Sequence, residues 1–129
     1  MPLETEHVTQ AERNERLYDI LCSHGSEELT EWEVVALFYS ALHYVDAYFA
    51  KSNEHPKGHR ERNQKVAQTK EFSSFASSYI HLYHNSRDAR YGQGQYMAQY
   101  PPQQVRNLRD DHYELIKSEV CNLLGITEV

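Results

Sequence analysis

Residues Thr30 to Tyr91 read TEWEVVALFYSALHYVDAYFAKSNEHPKGHRERNQKVAQTKEFSSFASSYIHLYHNSRDARY, and this stretch decides the fold. It opens with a long apolar segment, Trp32 to Ala50. Val34, Val35, Phe38, Ala41, Leu42, Val45 and Phe49 recur there at the 3.6-residue period, so they form one wide stripe that must be buried. Ala36, Ser40, Ala47 and Ala50 make a second face, small enough for another helix to approach closely. Thr30 and Glu33 fit a capping box at its start. Lys51-Ser52-Asn53-Glu54 closes it, because the residue before Pro56 is pushed out of helical dihedrals. A basic loop follows, His55-Pro56-Lys57-Gly58-His59-Arg60-Glu61-Arg62. From His59 to Lys70 the pattern is polar apart from Val66 and Ala67, which predicts a short, mostly exposed helix. Phe72, Phe75, Ala76, Tyr79, Leu82 and Tyr83 then mark another amphipathic helix, whose far end carries His84, Arg87, Arg90 and Tyr91.

Outward from this centre, Thr9 and Glu12 suggest a second capping box. Ala11, Leu17, Tyr18, Leu21 and Cys22 behind it predict a first helix of about four turns, closed by His24-Gly25-Ser26. On the other side, Gly92 to Pro102 reads as a loop by its glycines and prolines. Pro102 suits the first turn of a last helix. Val105, Leu108, His112, Leu115, Glu119, Val120 and Leu123 give that helix its stripe, and Gly125 its stop. No stretch alternates with period 2. The expected architecture is one all-α domain over residues 1–129, an antiparallel bundle of four long helices and a short one.

Composition narrows the function classes. With 129 residues there is room for one core, and 40% hydrophobic with 25% charged residues is ordinary for a globular chain. The apolar segment is interrupted by Glu33, His43 and Asp46, so a membrane span is not expected. The N-terminus MPLETEHVTQ lacks the basic and apolar regions of a secretory signal, so the expected location is cytoplasmic. Cys22 and Cys121 make no metal spacing and read as small buried hydrophobes. The net charge of −6 argues against indiscriminate nucleic-acid binding. The charge is unevenly spread: nine acidic residues face two arginines from Met1 to Glu33, whereas six basic residues face two glutamates from Lys51 to Lys70. That basic segment is either a solvated face or a modest anion-binding surface.

Several chemistries find no pattern. Gly92-Gln93-Gly94 follows a helix and is not a strand-to-helix phosphate loop. His55 and His59 are four apart, but Pro56 and Gly58 keep them off a shared helical face, so no metal site and no cofactor is expected. Tyr39, His43 and Asp46 stand at i, i+4 and i+7, as a polar site facing a cleft or as a hydrogen-bonded set beside the core. Antiparallel packing of the two central helices would bring the Arg87–Tyr91 end towards Trp32 and Tyr39, with Arg60 and Arg62 at the opposite end. His59, Arg60, Arg87, Arg90 and Tyr91 are the candidate phosphate and base contacts, since guanidinium forks suit phosphate and tyrosine offers a stacking face. Arg87 and Arg90 could instead pair with Asp46, Asp88 or the acidic first helix.

Three pieces, FYSALHYVDAYFA, His55-Pro56-Lys57-Gly58-His59 and Ser86-Arg87-Asp88-Ala89-Arg90-Tyr91, together resemble the HEPN family, helical bundles named for higher-eukaryote and prokaryote nucleotide binding. The resemblance covers roughly half the chain. It implies a nucleotide- or RNA-binding protein, with homodimerisation and a partner such as a nucleotidyltransferase or an antitoxin. One branch of the family consists of metal-independent ribonucleases of toxin–antitoxin and defence systems, which use an arginine and a histidine four to six residues apart. Arg106 and His112 match that spacing and are the candidate catalytic pair. Positions six apart on an α-helix are about 120° out of alignment, so the two converge only if Arg106 precedes the regular helix or a partner subunit supplies one of them. In that chemistry a histidine moves the proton of the ribose 2′-hydroxyl and an arginine stabilises the charged transition state, so only RNA is cut. The competing expectation is a catalytically inert module that binds a partner protein through a bundle face.

Overall fold

The computed structural model describes residues 2–23, 29–91 and 100–126. Helix α1 spans Glu4–Ser23, α2 Thr30–Lys51, α3 His59–Gln68, α4 Ala76–Tyr91, α5 Pro102–Leu108 and α6 Glu114–Leu124. A 3₁₀ turn at Lys70–Phe72 leads into α4, and a π turn at Arg109–Tyr113 joins α5 to α6 into one rod. The chain is an all-α bundle with no strand among the described residues. No described helix is long and apolar enough to cross a membrane.

Helix α2 is the axis. Val34, Phe38, Ala41, Leu42, Val45 and Phe49 are buried, as the stripe requires, and so are Ala36, Ser40 and Ala47 on the small-residue face. Helix α1 lies antiparallel on that small face: His7 meets His43, the Ala11 carbonyl meets Ser40, and Cys22 meets Glu33. The α5–α6 rod runs parallel to α2, with Tyr100 at Thr30, Tyr113 at Ser40 and Lys51 at Leu123. Helix α4 runs antiparallel to α2, with Phe72 just ahead of it on Tyr48 and Phe49, and Tyr79 on Phe38. The Ser40 hydroxyl, 2.7 Å from the Ala11 carbonyl and 2.8 Å from the Tyr113 hydroxyl, ties three helices together in the core.

Three local readings need correction. Helix α1 begins at Glu4, and Thr9 lies inside it, its hydroxyl bonded to the Thr5 carbonyl. Glu6 Oε1 accepts from the Leu3 amide at 2.9 Å, so an acid three residues in caps the helix six residues earlier than expected. Thr30 does not cap α2; its hydroxyl accepts instead from the Tyr100 amide at 3.3 Å, pinning the start of the last rod. Cys22 is exposed and bonds Glu33, while Cys121 is buried. The proposed stop at His24-Gly25-Ser26 and most of the Gly92–Pro102 loop lie outside the described residues. Pro102 and Gly125 behave as expected: Pro102 opens α5, and Gly125 takes φ 73° where an L side chain would be strained.

The rod departs from the expected stripe for a clear reason. Val105 and Leu108 are buried, but the next buried residues are Tyr113, Ile116, Val120, Cys121 and Leu124, not His112, Leu115, Glu119 and Leu123. A π turn bonds i to i+5 and so absorbs one extra residue. It shifts the α6 half of the stripe by one position and brings the more apolar set to the core.

Candidate functional site

Helix α3 folds back parallel to α2. His59 meets Tyr39, Arg62 meets Asp46 and Lys65 lies over Phe49. Gly58 permits the reversal with φ 139°, a conformation L side chains rarely adopt. One face of α3, His59, Arg62 and Val66, is therefore turned into the bundle, with His59 and Arg62 reaching α2. Arg62 Nε and Nη2 grip the two Asp46 oxygens at 2.8 and 3.1 Å, both side chains buried. This bidentate pair satisfies both charges where water is excluded, and it fixes His59 one turn earlier on the same helix. Arg62 was expected at the far end of the groove; it lies instead inside the bundle wall.

Tyr39 is where the segments converge. Arg90, in the last turn of α4, donates from Nη1 to the Tyr39 hydroxyl at 2.9 Å. Its guanidinium lies 5.5 Å from the Tyr39 ring centre and 5.2 Å from that of Tyr91. His59 Nε2 stands 3.4 Å from the same hydroxyl, and its ring packs against Phe38 and Tyr83. His59 Nδ1 is buried without a hydrogen-bond partner among the described residues. A buried unpaired N–H costs more than a bare lone pair, so the proton belongs on Nε2, facing Tyr39. The Tyr39 oxygen then accepts from both His59 and Arg90, and its own proton is free to donate outward. Burial, reinforced by the Arg62 and Arg90 charges, holds the His59 imidazole below its ordinary pKa, so it is mainly neutral at pH 7.

The remaining candidates take separate positions. Arg60 and Arg87 are exposed, and Tyr91 is 68% exposed beside Arg90. None of Arg60, Arg87 and Arg90 is ion-paired with a carboxylate among the described residues. The Tyr39, His43 and Asp46 trio divides. Tyr39 turns to His59 and Arg90, Asp46 to Arg62, and His43 to His7, whose Nδ1 lies 3.1 Å from its own. Burial lowers the pKa of both His7 and His43. Arg106 is exposed and bonds Gln103 at 2.9 Å, whereas His112 faces α4, its Nδ1 2.9 Å from the Ser78 hydroxyl and its ring 4.5 Å from that of His81. Burial, then the neighbouring His81, lowers the His112 pKa. The π turn between them advances less than about 100° per residue, which moves Arg106 and His112 closer to opposite faces than a regular helix would. Among the described residues no group of three or more His, Cys, Asp or Glu side chains could hold a metal ion.

No family model, curated protein or solved structure matches this chain. What the site can do therefore rests on its own geometry: a charged arginine between two tyrosine rings, a hydroxyl free to donate and a neutral imidazole. The clasp of Arg62 on Asp46, the contact of His7 with His43 and the packing of Tyr83 on His59 were not foreseen. For Arg62 there was a signal, since His59, Arg62 and Val66 recur at i, i+3 and i+7. For His7 there was none, because its partner is 36 positions away.

Proposed function

We propose that this chain binds the phosphate of a nucleotide or of single-stranded RNA at Tyr39, His59 and Arg90, with Arg60, Arg87 and Tyr91 around the rim. The observation that carries the reading is Arg90. Its guanidinium is oriented by the Tyr39 hydroxyl and lies within cation–π range of two tyrosines, yet no carboxylate neutralises it among the described residues. Arg62, the buried arginine, is by contrast paired with Asp46, while the half-buried Arg90 keeps its charge available to a ligand. The resemblance to HEPN proteins points to the same ligand class, and a homodimer with a nucleotidyltransferase or antitoxin partner is the assembly it suggests. The test is fluorescence anisotropy with a labelled RNA decamer. Binding should weaken as salt rises, and Arg90→Ala should weaken it about tenfold or more, whereas Arg106→Ala should change it little. Unchanged binding in Arg90→Ala refutes this site. No binding at all favours the inert, partner-protein reading.

A second reading, metal-independent RNA cleavage, is favoured by His112, a neutral, half-buried imidazole in a π turn, a feature frequent at functional sites. Arg106 would then act from a second subunit, because within one chain the two face different neighbours. Cleavage that persists in EDTA and disappears in both Arg106→Ala and His112→Ala supports it. Intact RNA after prolonged incubation with the wild-type protein removes it.

A further inference from the structure

Tyr39 has a second neighbourhood. It also lines a groove of about 520 Å³ between α1 and α2. Trp32, Tyr39 and His43 belong to the α2 side of this groove, and Gln10, Asn14 and Leu17 to the α1 side. The lining is mostly apolar, yet it carries two side-chain amides, whose hydrogen bond to each other is a long 3.4 Å. Trp32 is 48% exposed and Leu17 45%, so an aromatic face on α2 and an aliphatic one on α1 stand open to solvent.

The groove and the cationic cluster share Tyr39 as a common wall, so a ligand with an anionic group at Arg90 and a flat, mostly apolar body could fill both. A nucleotide has that construction. We infer that the α1–α2 groove is a nucleobase subsite, with Trp32 as the stacking face and the Gln10 and Asn14 amides meeting the polar edge of the base. The amide pair can satisfy donors and acceptors alike, and its present bond is weak enough to give up. The inference depends on the phosphate reading above, because Arg90 and Tyr39 supply the charge complementarity that selects a nucleotide over other apolar occupants.

Trp32 is the sole tryptophan of the chain, so its emission reports on this groove alone. The experiment titrates the full-length protein with adenosine 5′-monophosphate and with ribose 5-phosphate, following both calorimetry and Trp32 fluorescence. The expected result is that both ligands bind and both weaken in Arg90→Ala, while only the nucleotide changes Trp32 emission. The nucleotide should bind at least fivefold more tightly than the sugar phosphate, the lower end of what one stacked base contributes. Trp32→Leu, which keeps the exposed position apolar, should erase that advantage and leave ribose 5-phosphate affinity unchanged. Equal affinities with unmoved emission would overturn the base subsite and leave the phosphate site standing. Failure of both ligands to bind would remove the phosphate site and the subsite together. Emission that follows protein concentration rather than nucleotide would assign the groove to a second copy of the chain and refute the inference.

Discussion

Replacing Asp46 by alanine would leave the Arg62 guanidinium 7% exposed with no counter-charge, and Arg62→Ala would leave the Asp46 carboxylate in the same position. Removing one partner of a buried ion pair costs about 3–5 kcal/mol, because the survivor keeps its desolvation penalty and loses its compensation. For a chain of this size a urea m-value of about 2 kcal/mol/M turns that loss into a fall of roughly 2 M in the unfolding midpoint. Asp46→Leu combined with Arg62→Met fills the same space without charge and should lie within about 1–2 kcal/mol of wild type. Urea titrations followed by circular dichroism at pH 7 measure all four proteins, and the Asp46→Ala/Arg62→Ala double variant closes a double-mutant cycle with the two single variants. RNA binding should drop in both single variants, since Arg62 holds the helix that presents His59 to Tyr39. The reasoning is refuted if either single variant loses less than about 1 kcal/mol, or if the two losses simply add in the double alanine variant.

Other outcomes follow from the same contacts. Tyr113→Phe removes a hydroxyl that donates to Glu15 at 2.6 Å and stands 2.8 Å from Ser40, and should cost about 1–2 kcal/mol in urea unfolding. Burial pushes the Glu15 carboxyl up, but bonds from Lys117 and Tyr113 bring it below its ordinary pKa, so an NMR titration of this variant should find it higher. His7, His43, His59 and His112 all have folded pKa values below 6.5, so the unfolded chain takes up protons first as pH falls through that value. Stability should be full above about pH 7 and decline below 6.5, and His7→Gln with His43→Gln should flatten that decline. A bound phosphodiester favours the protonated form of His59, so RNA affinity should rise from pH 7.5 to 5.5, and His59→Gln should abolish the rise. Deleting the exposed Asp110 should turn the π turn into a regular helix without moving Tyr113, Ile116 or Val120 out of the core. Loss of the folded circular-dichroism spectrum would contradict the register argument.

The long-range periodicity of α2 was legible because seven large apolar side chains recur at one spacing, and packing and propensity agree there. The end of the last rod was only partly legible. Two interleaved stripes exist after Leu108, and the pattern alone continued in the α-helical phase, through His112, where the chain slips by one residue to the richer set. Thr9 and Thr30 looked like caps because a threonine followed three positions later by glutamate also occurs inside or beside helices, where the hydroxyl finds another carbonyl or amide. In the site, Tyr39, His59 and Arg90 were each visible as chemistry-bearing residues. The approach of Arg90 to Tyr39 was also expected, from antiparallel packing of the two central helices; the arrival of His59 was not, because it follows from a pairing of Asp46 with Arg62, 16 positions apart.

Helix α3 contributes one residue, Val66, to the buried hydrophobic cluster, so its hold on the bundle rests on that contact, the Asp46–Arg62 clasp and the ring contacts of His59. Segments anchored so sparingly are the first to exchange their amide hydrogens with solvent. The imidazole delivered to Tyr39 rides on that segment, so ordering and occupancy become two faces of one equilibrium. A molecule gripping His59 would slow deuterium uptake along residues 59–68 in proportion to its saturation, while uptake in α2 stayed as it was.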